Sequence, residues 1–128
     1  MTVRWEVRQC VLILIFAGVV EREEIEAAVA SALADPRCAG GVGLLWDGRL
    51  SQTPLSTDDL TWRFEMVSSL VERGVVRRAA VLLTEGWRAT LDYFRAEATR
   101  IAPGFHLEMF TDESEAIAWL EAGRGGGI

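Results

Sequence analysis

Two hydrophobic rhythms run along the chain. Near the start, Val3, Trp5 and Val7 alternate with Arg4, Glu6 and Arg8. That period of two predicts a strand with one wet face, suited to a sheet edge. Val11 to Phe16 are apolar without a break, as in a strand covered on both faces. Residues 9–10 predict a turn between the two, its exact type not specified by so short a loop, and hence an antiparallel pair. Gly18 ends the second strand. From Glu21 to Pro36 the period lengthens: Ile25, Ala28, Val29, Ala32 and Leu33 share one helical face behind an acidic front end, which suits the positive helix terminus. Pro36 stops this helix. A loop of small residues, Arg37 to Gly41, leads to a third strand, Val42 to Asp47.

A second helix is expected from Ser56 to about Arg73, with Leu60, Phe64, Val67 and Val71 as its buried stripe and Gly74 at its end. A strand over residues 77–84 follows. Next comes a helix from about Glu85 to Ile101 that presents Trp87, Leu91, Phe94 and Ala98, closed by Pro103-Gly104. The last strand covers residues 105–110. Thr111 or Asp112 caps a final helix whose inner side is Ala116, Trp119 and Leu120. Apolar strands joined by helices of this length are βαβ units. The expected fold is α/β: a mixed, mostly parallel, five-stranded sheet with four helices, right-handed crossovers, and the strand of Trp5 antiparallel at or near an edge. No repeat or linker interrupts the pattern. Residues 1–122 are expected to form a single domain, and 123–128 a flexible tail.

Half of the 128 residues are apolar, enough for the core of one ordinary domain. The net charge of −6, from 13 basic and 19 acidic residues, works against attraction to phosphates of nucleic acid or to anionic lipid. The apolar run at residues 11–20 is half of what a spanning helix needs. Arg4 and Arg8 precede it as in a signal peptide, but Glu6 lies among them and no Ala-x-Ala site follows. No integral membrane segment and a cytoplasmic location are expected. Cys10 and Cys38 match no metal or redox spacing.

Chemistry-bearing residues are few. Gly40-Gly41-x-Gly43 precedes a strand, whereas a phosphate cradle follows one and opens a helix. His106 is the only histidine and has no metal-ligand constellation around it. A catalytic set of Ser56 or Ser51 with His106 and Asp47 would need an assembly that nothing local requires. Neither a metal nor a cofactor is expected. Ser56 and Asp59 read as a capping box, with aspartate in place of the usual glutamate. Asp47 reads as the end of a strand, with Gly48-Arg49 as a turn whose backbone it accepts from. The five tryptophans are unusual in number. Trp62 and Met66, four apart on the second helix and off its main stripe, form a second apolar stripe, extended by Leu70, that Arg63 and Glu65 would rim. Trp62 and Met66, with Trp87, Leu91 and Phe94, are candidates for a homodimer face, a pocket for a small hydrophobic ligand, or a thicker core.

The order of these pieces resembles the STAS/SEC14-like superfamily, and most closely the small bacterial SpoIIAA-like proteins. The resemblance rests on "FAGVV", "WDGR", the Ser/Thr-Asp-Asp helix start, "RRAAVLLT", and the ending Phe110, Asp112, Ala116, Trp119 and Leu120. It spans residues 3 to 122 and implies a (βα) superhelical fold. It implies two uses as well. Antagonists of anti-sigma factors are docking modules, phosphorylated on a serine at the start of the helix after the third strand. Lipid-transfer relatives hold a hydrophobic molecule under their helices. Ser56, nine residues after Asp47, stands where the phosphoacceptor would be, with Asp47, Asp58 and Asp59 as supporting residues. The sequence lacks the aspartate before that serine and the glycine after it. The resemblance thus implies a non-enzymatic interaction or regulatory module that binds itself or another protein, or alternatively a carrier or sensor of a small hydrophobic molecule.

Overall fold

The computed structural model describes residues 2–52, 56–84, 92–93, 95–97, 100 and 107–125, apart from the side chains of 57, 60 and 123–125. The strands are β1 (Val3–Arg8), β2 (Val11–Gly18), β3 (Val42–Ser51), β4 (Val76–Leu82) and β5 (Leu107–Phe110). The helices are α1 (Arg22–Leu33), α2 (Thr57–Glu72) and α3 (Glu113–Gly125). Residues 92, 93, 95–97 and 100 are helical too, which makes four α-helical segments among the described residues. The sheet order is β1-β2-β3-β4-β5. β1 pairs antiparallel with β2, and the other neighbours are parallel.

The hairpin follows from chain length. Only Gln9 and Cys10 separate Arg8 from Val11, and their φ values are 51° and 66°. Two positive φ angles in a row are what a type I′ turn requires. β2 is thereby drawn inside the sheet, where Val11, Leu12, Ile13, Leu14 and Phe16 are at most 1% exposed. Its even-numbered residues join Leu44, Trp46, Ile25, Val29, Val67 and Leu70 in one core, under α1 and α2. Its odd-numbered residues join Leu45, Ala80, Leu82, Ala116 and Leu120 in a second core, under α3. The strands step across the sheet in chain order, and α1 and α2 lie on one face, so their crossovers share one hand. Gly43 lets α3 sit close: a Cβ there would lie 3.0 Å from Leu120 Cβ. β1 follows its alternation, with Val3, Trp5 and Val7 on the α1 side and Arg4, Glu6 and Arg8 exposed.

Three sequence expectations change. β3 runs to Ser51 rather than ending at Asp47, and β4 is Val76–Leu82 rather than residues 77–84. Among the described side chains the buried positions of α2 are Val67, Ser68 and Leu70, Phe64 and Val71 are half-buried, and Leu60 lies outside that set. In the middle and last turns only Glu65, Ser69, Glu72 and their neighbour Arg73 are exposed, so both flanks of the helix are covered. A single narrow wet strip hides the simple one-face periodicity. Among the described residues no helix is long and apolar enough to cross a membrane.

The strained hairpin yields a test. An L-residue in the left-handed region costs about 1–2 kcal/mol, and glycine escapes that cost while losing some entropy on folding. Cys10→Gly is therefore expected to raise stability by about 0.5–1 kcal/mol. Denaturant melts check this, and a lowered midpoint would contradict the assigned turn.

Candidate functional site

The starts of α1 and α2 meet above the carboxyl ends of β2 and β3, where binding sites collect in open α/β sheets. Each start is capped by its own side chains. In α1, the Glu21 N–H donates to Glu24 Oε1 at 3.2 Å, and the Glu21 carboxylate closes a reciprocal capping box. In α2, the Asp59 N–H donates to Ser56 Oγ at 3.1 Å, while that hydroxyl donates to Asp59 Oδ2 at 2.9 Å. This is the capping box expected from the sequence. Asp59 also bridges the helices: Arg22 Nε and Nη2 donate to its Oδ1 at 3.2 and 2.9 Å. Arg22, and then Ser56, hold the Asp59 carboxyl below its ordinary 3.8. The Arg22 guanidinium in turn lies 5.4 Å from the Trp62 ring centre.

Between the helix starts lies a cleft of about 320 Å³. Val19, Val20 and Ile25 supply its apolar wall; Glu21, Arg22, Glu23, Asp59 and Arg63 supply the polar one. Arg63 reaches inward from α2. Its Cζ is 5.4 Å from the ring centre of Trp46 and 5.7 Å from that of Phe16. Those rings stack on each other at 4.7 Å. Burial pushes the Arg63 pKa down, with Asp59 acting in the opposite sense. A guanidinium stays charged under such a shift.

Asp47 belongs to another cluster. It is 7% exposed. It accepts from Arg49 N–H at 3.2 Å, Nε at 3.0 Å and Nη2 at 2.9 Å. The expected backbone bond is present, but Gly48-Arg49 is not a chain-reversing turn. Ile15 pairs with Asp47 and Ala17 with Leu50, so two steps on β2 face three on β3. Gly48 and Arg49 hold this bulge, and a Cβ on Gly48 would meet Leu83 Cδ2 at 2.7 Å. Asp47 alternates with Trp46 and so lies on the α3 side, where Arg49 also approaches Glu113 at 4.0 Å. Among the described residues no hydrogen bond or ion pair joins Asp47 to Ser56.

Asp58 is exposed beside the cap. Trp62 and Met66 are half-buried and pack against the core of Phe16 and Trp46. Of their three open roles, core packing is the one with contacts in the chain itself. Trp87, Leu91, Phe94 and His106 lie outside the described residues. Among the described residues no group of three or more His, Cys, Asp and Glu side chains is set to hold a metal ion. Cys10 and Cys38 are both free thiols, and burial pushes the Cys38 pKa up.

Sequence reasoning gave Arg22 no role and took Arg63, with Glu65, only as a polar rim beside Trp62 and Met66. Arg63 stands one turn after Asp59, a spacing that hinted at a shared face. Arg22 carried no local signal, because its partner is 37 residues away. Asp59, held ionised by Arg22, is a weak base for the Ser56 hydroxyl.

The cap and its ionic partner are testable together. Ser56→Ala is expected to lower stability by about 1 kcal/mol near neutral pH. Asp59 has a depressed native pKa, so its contribution is complete above 3.8 and is lost as the pH falls through the lower native value. In denaturant melts across the acid range, the loss caused by Asp59→Asn should shrink below that point. A loss that does not change with pH would contradict the Arg22 and Ser56 pairing.

No protein-family model matches the chain, and no curated protein matches it. Among solved structures it is similar to the crystal structure of an uncharacterised DUF3478-family protein with a SpoIIAA-like fold from Shewanella loihica PV-4. The TM-score is 0.59 at 20% sequence identity, over 92% of this chain and 91% of that one. A hairpin-led, mostly parallel five-stranded sheet and the match over nearly the whole of both chains lead to one conclusion: this chain has the SpoIIAA-like fold that its sequence resembles.

Proposed function

We propose that the chain is a non-enzymatic, STAS-like regulatory or protein-interaction module of the cytoplasm that works through the joined starts of α1 and α2. The observation that carries this reading is the chain of bonds from the exposed Ser56 hydroxyl through Asp59 to Arg22. A phosphate on Ser56 would bring about two negative charges and three acceptor oxygens. It would repel the adjacent Asp59 carboxylate and draw the Arg22 guanidinium toward itself. One modification would thus redistribute charge over both helix starts, the surface a partner protein or a second copy would read. Asp58, exposed beside the cap, adds to the charge that such a partner meets.

The experiment is cross-linking in the cells that make the protein, followed by purification through a tag and mapping of the linked residues. The expected result is one partner, or a homodimer, linked through the first turns of α1 and α2 and lost in a folded Ser56→Asp variant. Cross-links scattered over the surface, or a map unchanged by Ser56→Asp, would contradict the reading.

A further inference from the structure

Arg63 stands out among the charges of this molecule. Arg22 is paired with Asp59, Arg49 with Asp47 and Arg37 with Asp35. Arg63 is half-buried and has neither a hydrogen bond nor an ion pair among the described residues; its contacts are the faces of Phe16 and Trp46. A buried charge is costly unless it is paired and hydrogen-bonded. Ring faces offset part of that cost but occupy none of the guanidinium's five N–H donors. Arg63 also lines the cleft of about 320 Å³ between α1 and α2, a volume at the small end of ligand sites. The cleft has an apolar side as well. Ile25 is fully buried beneath it, and Val19, at its edge, leaves 54% of its surface in water.

We propose that this cleft binds a small organic or inorganic oxyanion, a carboxylate or a phosphate, held by the Arg63 guanidinium, with any apolar body of the ligand against the exposed Val19. The fork of a guanidinium matches two oxygens of either group. Arg22 stands at the rim, where its charge is compensated by Asp59, and so it is not the primary ligand. Asp59, neutralised by Arg22, does not expel the anion. Glu21 and Glu23, both in the cleft wall, set a limit: a ligand of high negative charge is disfavoured, so the site suits one acidic group. Binding here adds sensitivity to a small molecule at the edge through which the module is read, but it does not depend on Ser56 being modified.

The test uses the full chain labelled with ¹⁵N, titrated with inorganic phosphate and, separately, with hexanoate, each against chloride at equal ionic strength. The Nε–Hε resonance of Arg63 is the reporter. The expected result is a saturable shift with phosphate, hexanoate or both, while chloride gives none. Saturation by phosphate alone identifies a phosphoryl ligand, and saturation by hexanoate alone a carboxylate with an apolar tail; either supports the site. Arg63→Met, checked for folding by circular dichroism, should abolish saturation, as read from the backbone amides of Val19, Val20 and Arg22. A second variant guards against misfolding: Val19→Glu, at an exposed position, sets a carboxylate at the mouth and should weaken binding about tenfold. No saturation with either probe would overturn the proposal. So would unchanged affinity in a folded Arg63→Met or in Val19→Glu.

Discussion

Everything in this molecule depends on β2 being buried on both faces. Val11 to Leu14 and Phe16 are at most 1% exposed, so apolar cover must come from both sides of the sheet. α1 and α2 give it on one side and α3 on the other. A strand so enclosed cannot carry charge along its length. Polar chemistry is displaced to the edge strand, where Arg4, Glu6 and Arg8 meet water, and to the strand ends. At the carboxyl ends of β2 and β3 the apolar cover gives way to the caps of two helices, and the ionised side chains gather there. The site is a consequence of how the core is closed.

Arginine shapes that boundary. All thirteen basic residues of the chain are arginines. A guanidinium is planar and less strongly hydrated than an ammonium, so it can lie on a ring and still reach an acid. Arg22 does both, with Trp62 and Asp59. Arg78 lies 3.9 Å from the Trp119 ring centre and donates to the Trp119 carbonyl at 2.8 Å. Arg63 has the rings without the acid. The excess of tryptophan in the sequence finds part of its explanation here: Trp46, Trp62 and Trp119 are platforms for arginines as well as core.

The elements that sequence reasoning recovered are those whose signal is local. The unbroken run Val11–Phe16 announces a doubly covered strand, the alternation of Val3, Trp5 and Val7 an edge, and Ser56 with Asp59 a cap. What it did not recover depends on distant neighbours. Gly48-Arg49 resembles a turn by composition, yet it is a bulge, because β2 continues to pair with Leu50 and Ser51. Ser68 is buried because both flanks of α2 are covered, which no apolar stripe reveals. The bridge from Arg22 to Asp59 spans 37 positions, and the inward reach of Arg63 depends on where Trp46 and Phe16 are stacked. Asp47 and Ser56, set nine apart in sequence, end in separate bonded clusters because alternation along β3 turns Asp47 toward α3.

The starts of α1 and α2 act as one ionic unit through Arg22, Asp59 and Ser56. A double-mutant cycle on Arg22→Gln and Asp59→Asn, followed by denaturant melts at low and high salt, tests it most directly. The pair is partly exposed, at 44% and 32%, so the coupling expected at low salt is about 0.5 kcal/mol, falling as salt is added. Losses that simply add at both salt concentrations would contradict the account.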